Sequence, residues 1–299
     1  MRGRELLAAL TSSDFGFLTD CNLNSCSLTA LPTEIGALEN LETLSVYDNE
    51  LAEIPEFVWR LEKLETLNLS VNEFSDIPAE VGNLKRLQML DLGHNSLSKL
   101  PETIGNLGNL KFLYASNNSL TELPGSLRNL QKLEYLNITD NRFTELPEWL
   151  GEFENVSELR LYNNGLTTLP ESLGYMPNLR ELHAMNNGLT TLPDLGELKN
   201  LRLLNLQSNA LRSLPRTFGD LHNLTDLDLR FNQLSALPKT MGKLTNLRFL
   251  DLRANQLTEL PENMVNLRRL EKLDLRWNRL VTYPSWLRRL EEQGCTIYT

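Results

Sequence analysis

The chain has little of what enzymes and membrane proteins usually display. Its 299 residues include three cysteines and three histidines, and an odd, sparse cysteine set is not a disulfide framework, which favours a reducing compartment. No apolar run approaches the roughly 18 residues that span a bilayer. Behind Arg2 and Arg4 the apolar stretch over residues 6–10 is too short for a secretory signal core. The expected location is therefore the cytoplasm, or a host cell entered as a secreted effector through a signal that hydropathy does not reveal. A basic surplus is missing too: 39 acidic side chains stand against 29 basic ones, for a net charge of −10. Residues 1–150 hold 22 acidic and 11 basic side chains, and residues 151–299 hold 17 and 18. Phosphate contacts need clustered Lys and Arg, so nucleic-acid binding is excluded as an expectation, as is membrane insertion. The sequence contains no phosphate loop, zinc-ligand spacing or nucleophile elbow, so no catalytic residue, metal or cofactor is expected.

What is present is a repeat. Asparagine recurs at Asn49, Asn72, Asn95, Asn118, Asn141, Asn164, Asn187, Asn209, Asn232, Asn255 and Asn278, every 23 residues except for the 22 between Asn187 and Asn209. Around each stands L-x-x-L-x-L-x-x-N-x-L, as in Leu87, Leu90, Leu92, Asn95 and Leu97, followed by x-x-L-P-x-x-I-G-x-L. A degenerate copy precedes them, with Cys21 and Cys26 in the fourth and ninth positions, where burial is expected. Within L-x-L the leucines share one face and the intervening residue takes the other, which is the period of a strand. Identical strands one repeat apart become parallel neighbours, since each return segment carries the chain back to the same end. One repeat cannot bury its leucines, but a stack can.

Twelve of the thirteen prolines, from Pro32 to Pro284, occupy one frame position and suit the start of a tight return turn. The recurrent glycines, such as Gly82, Gly105 and Gly219, read as a turn requirement. The asparagines should turn inward to satisfy backbone groups at the bend out of each strand. In the 22-residue repeat the missing residue lies in the return segment, near Pro193 and Leu195, so strand register should continue through Asn209.

This frame resembles the leucine-rich-repeat family over roughly residues 15–290, and its 23-residue form is similar to the repeats of intracellular Ras-pathway scaffolds and of bacterial leucine-rich-repeat proteins and effectors. The resemblance implies an α/β repeat solenoid: a horseshoe with a concave parallel sheet of 12 to 13 short strands and a convex side rich in 3-10 turns. Residues 1–14 are expected to form an N-terminal cap helix, 15–285 the array of about 12 repeats, and 286–299 a C-terminal cap whose last strand holds Cys295 and Ile297.

Frame positions 3, 5, 7 and 8 should project from the concave side. In repeats four to eight they carry Met89, Phe112, Tyr114, Tyr135, Arg160, Tyr162, His183 and Met185. Aromatic residues, Met and Arg are enriched at interface centres, although aromatics also suit strands and stack along columns. Toward the C-terminus Arg230, Arg253, Arg276, Phe231 and Trp277 suggest a basic, aromatic rim, against an acidic one formed by Asp20, Asp48 and Glu50. The Asp228–Arg230, Asp251–Arg253 and Asp274–Arg276 units would either hold an acidic ligand or neutralise themselves. His94 and His183 lie nearly four repeats apart and cannot share a metal. The expected activity is binding of a protein partner on the concave face. The alternatives are a recognition subunit of a signalling or ubiquitin-transfer enzyme with its catalytic part on another chain and, more remotely, a carbohydrate binder.

Overall fold

A computed structural model describes residues 17–299. The cap helix expected over residues 1–14 lies outside the described residues. The chain divides into two compact units, one ending at Arg142 and the other running Phe143–Thr299.

In the first unit six strands follow in chain order, all parallel: β1 Asp20–Asn22, β2 Thr43–Ser45, β3 Thr66–Asn68, β4 Met89–Asp91, β5 Phe112–Tyr114 and β6 Tyr135–Asn137. The second unit continues with β7 Glu158–Arg160, β8 Glu181–His183, β9 Leu203–Asn205, β10 Asp226–Asp228, β11 Phe249–Asp251, β12 Lys272–Asp274 and β13 Thr296–Tyr298, again parallel and in order. Each strand is frame positions 3 to 5, and each position-4 residue of the repeats, such as Leu90 or Leu204, is fully buried. Cys21 and Cys26 are buried as expected.

The position-9 asparagine explains how short strands leave the sheet without stranding backbone groups. Asn95 Nδ2 donates to the carbonyls of Leu69, Leu92 and Gly93 at 3.1 Å each, while its Oδ1 accepts from Phe74 N at 3.1 Å. Asn232 does the same in the second unit, to Leu206, Leu229 and Arg230, and accepts from Leu211 N. The amide thus uses donors and acceptor together, tying two repeats.

Each proline at the head of a 3-10 turn accepts the N–H three residues on, as Ile104 N donates to Pro101 O at 3.0 Å. The recurrent glycine has a different cause from the one expected. Its φ is not positive; instead a Cβ on Gly105 would stand 2.3 Å from Ser126 O, and one on Gly219 would stand 2.2 Å from Thr240 O. At these two positions the return segments stack too closely for a side chain.

The 22-residue repeat keeps its register: Leu182 pairs Leu204 and His183 pairs Asn205, and Asn209 makes the usual bonds to Ala184 and Leu206. The missing residue removes the 3-10 turn after Pro193, leaving an Asp194 turn closed by Gly196 N on Asp194 Oδ1 at 2.8 Å. Leu195 still fills the core. At the C-terminal end helix α1, Leu287–Glu292, buries Leu287 and Leu290. The final strand holds Ile297 as expected but begins after Cys295, for Ile297 pairs Leu273 and Thr296 N donates to Glu271 O. The α1 return segment is longer than a 3-10 one and delays the strand.

Candidate functional site

The outward positions of the strands form a separate face in each unit. In the first, Met89, Phe112 and Tyr135 stand in one register column, and the Tyr114 and Tyr135 rings meet at 4.8 Å, tilted by 37°. Tyr135, Phe112, Tyr114 and Met89 are half-buried. They were expected to be solvent-facing; lateral packing along the columns covers part of each. Asp20, Asp48 and Glu50 are exposed, with Asp48 held by Ser25 Oγ at 2.7 Å.

In the second unit Arg160, Tyr162, His183 and Met185 are likewise half-buried. The Asp-x-Arg units neutralise themselves. Arg253 lies bidentate on Asp251, at 2.6 Å for its closest contact, and also reaches Asp274 at 3.4 Å. Arg276 meets Asp274 at 2.6 Å, and Arg230 lies 3.1 Å from Asp228 while donating to Gln207. The expected basic rim is therefore paired and loses most of its steering field. Burial pushes the Asp274 carboxyl up, but the Arg276 hydrogen bonds and the Arg253 and Arg276 charges outweigh it and hold the group below its ordinary 3.8. Asp228, by contrast, is raised by desolvation despite its Arg230 contacts. Arg276 stacks between Trp277 and Tyr298, and Phe231 and Trp277, both exposed, bring their rings to 6.4 Å across Ala254 of the intervening repeat.

Two of the four outward columns also serve the scaffold. At position 5, Asn22, Asn68, Asp91, Asn137, Asn205, Asp228, Asp251 and Asp274 each accept, through Oδ1, the backbone N–H two residues on, at 2.9 to 3.3 Å. This side chain is a turn cap. Ser45 is exempt because Asn24 supplies the bond to Tyr47 N. The remaining exceptions are Tyr114, Arg160 and His183. At position 8 every repeat takes a left-handed backbone, including bulky Val71, Phe231 and Trp277, with φ of 55°, 55° and 61°.

Sequence reasoning missed one cluster. Glu158 and Glu181 pair directly across β7 and β8, and His183 Nε2 lies 3.2 Å from Glu181 Oε2 and 4.0 Å from Glu158 Oε1. The signal was legible as two glutamates 23 residues apart, each at position 3. Nucleophilic chemistry finds no support at the cysteines: burial, with Asp20 adding to it, pushes the Cys21 thiol up to about 12, and burial with Glu291 pushes Cys295 up to about 11. Such thiols are inert. A cavity of about 250 Å³ opens on the second face between Leu203, Asp226, Asp228, Phe249 and Lys272.

The family model described as leucine-rich repeat region matches residues 66–139 and 105–208, and that described as leucine rich repeat matches 222–280. A leucine-rich-repeat protein of Leptospira interrogans is 38% identical, with a TM-score of 0.90 over 95% of this chain and 73% of its own. The chain belongs to the leucine-rich-repeat family. It is also similar to a plant peptide hormone receptor solved in complex with RGF2, at 28% identity and a TM-score of 0.66 over 93% of this chain and 53% of that one. An internalin of Listeria monocytogenes, 24% identical over 97% of this chain and 92% of its own, shares the fold with a TM-score of 0.75. No curated protein matches the sequence. The family is generally one of non-enzymatic protein–protein interaction modules. Among the described residues no helix is long and apolar enough to cross a membrane.

Proposed function

We propose that the chain is a protein-binding module that recognises a partner protein on the outward faces of its strands, in a scaffold, adaptor or effector role, in the cytoplasm or delivered into a host cell. The contacts would come from Met89, Phe112, Tyr114 and Tyr135 in the first unit. In the second they would come from Arg160, Tyr162, His183 and Met185, with Arg230, Arg253, Arg276 and Trp277 toward the C-terminus. The same reading treats residues 15–285 as the recognition array between caps at 1–14 and 286–299.

One observation carries this reading. Tyr114, Arg160 and His183 stand where the scaffold otherwise places a capping Asn or Asp. A buried or half-buried cap bond contributes on the order of 1 kcal/mol, and Arg offers no acceptor at all. Three larger side chains there replace the capping carboxylate or amide and present surface of the kind that dominates interfaces.

The test uses the intact chain to capture its partner and then measures affinity for two variants. Phe112, Tyr114 and Tyr135 changed together to Ala should weaken binding by at least about a hundredfold, since hot-spot truncations cost about 2 kcal/mol or more each. Lys85, Arg128 and Lys199, exposed on the return side, should tolerate the same change. Loss of binding in the return-side variant with retention in the other would sink the reading.

A further inference from the structure

The cluster on β7 and β8 has the composition of a transition-metal site. Three donors, one imidazole nitrogen and two carboxylates, lie within 4.8 Å of one another. The side chains are 15% exposed for His183, 23% for Glu158 and 43% for Glu181, so the donors converge at a half-buried spot. Tetrahedral zinc, with Zn–N and Zn–O near 2.0 to 2.2 Å, needs donor–donor separations of about 3.4 Å. The observed 3.2 and 4.0 Å from His183 Nε2 bracket that value.

Two further features favour a cation here. Glu158 and Glu181 are held directly opposite by strand register, and like charges so placed destabilise a sheet. Among the described residues, the permanent cation at this pair is Arg160, whose Nε meets Glu158 Oε1 at 2.5 Å. With imidazole in its neutral, ligating form, two carboxylates face one guanidinium, and an excess of negative charge remains. Arg160 holds Glu158 Oε1, the oxygen nearest His183 Nε2, so that an outer hydrogen bond orients the ligating carboxylate. Mixed nitrogen and oxygen donors select zinc-like divalent ions over calcium or magnesium, which take oxygen alone.

We infer that His183, Glu181 and Glu158 form a binding site for a zinc-class divalent ion, with the open position available to water or to a donor from a bound macromolecule. The assay contains no partner, so its failure leaves the protein-binding reading untouched, and the reverse also holds.

Tag-free chain, stripped with a chelator, is titrated with Zn²⁺ by calorimetry, and bound metal is counted after equilibrium dialysis. One zinc per chain is expected. His183→Ala should weaken binding by at least about a hundredfold, and Glu181→Gln and Glu158→Gln by about tenfold each, with circular dichroism confirming the fold. A second measurement needs no variant: Co²⁺ added to the unaltered chain should give the intense visible bands of a four-coordinate site. Absence of saturable zinc binding overturns the inference. So does zinc binding that is unchanged in His183→Ala, or a Co²⁺ spectrum of six-coordinate, weak-band type.

Discussion

The two units are built on one frame yet carry outward faces of different charge content. In the first, strand positions hold Thr43, Thr66, Met89, Phe112 and Tyr135 beside Asn22, Ser45, Asn68, Tyr114 and Asn137, and ionised groups are few and all acidic. In the second the same positions hold Glu158, Glu181, Leu203, Asp226, Phe249 and Lys272 beside Arg160, His183, Asn205, Asp228, Asp251 and Asp274, with Arg230, Arg253 and Arg276 behind them. The repeat fixes where a side chain goes but leaves its chemistry open. A first-unit contact would gain from apolar area and aromatic geometry, whereas a second-unit contact would have to compete with ion pairs already made.

The scaffold beneath should not share this contrast. Leu136→Ala in the first unit and Leu204→Ala in the second, both fully buried, should each destabilise by roughly 2 to 5 kcal/mol through lost burial and a residual cavity. Urea unfolding of both checks it; a variant with the parent's midpoint would mean its side chain is not in the core.

Position 5 offers a sharper break. Asp274 is buried against Arg253 and Arg276, and Asp274→Asn should cost about 1 to 3 kcal/mol, because Arg276 loses its charge partner and Arg253 the second of its two. Asp91, in the other unit, is raised by desolvation, which Gly93 N, Ser70 and His94 only partly offset. Its neighbours in the column, Asn68 and Tyr114, carry no charge, so Asp91→Asn keeps the cap to Gly93 N and removes a desolvated charge. It should stabilise by up to about 1 kcal/mol at neutral pH. The same substitution in the same column thus has opposite signs, and equal signs would refute the account.

The pH dependence follows from these directions. For Asp274, whose folded-state value is depressed, the stabilisation is complete above 3.8 and is lost as pH falls through the lower folded value. For Asp91 the folded value lies above 3.8, so the native state binds the proton first. Its destabilising contribution is present above the folded value and disappears as pH falls through the window down to 3.8. Acid titration of stability should therefore be shallower in Asp274→Asn than in the parent.

The smallest effect concerns the left-handed backbone at position 8. Val71, β-branched, takes φ of 55° where Asn117 and Asp140 serve elsewhere in its unit. Val71→Asn should raise the unfolding midpoint by the equivalent of about 1 kcal/mol. Trp277→Asn relieves the same strain but gives up the Arg276 and Phe231 contacts, so its gain should be smaller. A larger gain at Trp277 would show that its ring contacts contribute nothing.

Much of this was legible in the sequence because a repeat multiplies every local signal. The L-x-L period gave strand and inward face, the recurring Asn gave the bend, and the 23-residue interval gave parallel order; even the short repeat around Pro193 could be placed in the return segment. Local pattern does not encode distances between repeats, however. The reason for Gly105 and Gly219 is the nearness of a neighbouring repeat's carbonyl, and the role of Asn68 and Asp251 is a bond that exists only once the turn has formed. Whether Arg253 and Arg276 would steer a ligand or be spent on Asp251 and Asp274 depended on side-chain reach across strands. Glu158, Glu181 and His183 became neighbours only through register. Sequence by itself determined the frame, because burial of leucine is a one-body preference repeated twelve times. Tertiary structure alone decided the pairings, because charge, hydrogen bonding and close approach are set by distances of a few ångströms between residues some 23 apart.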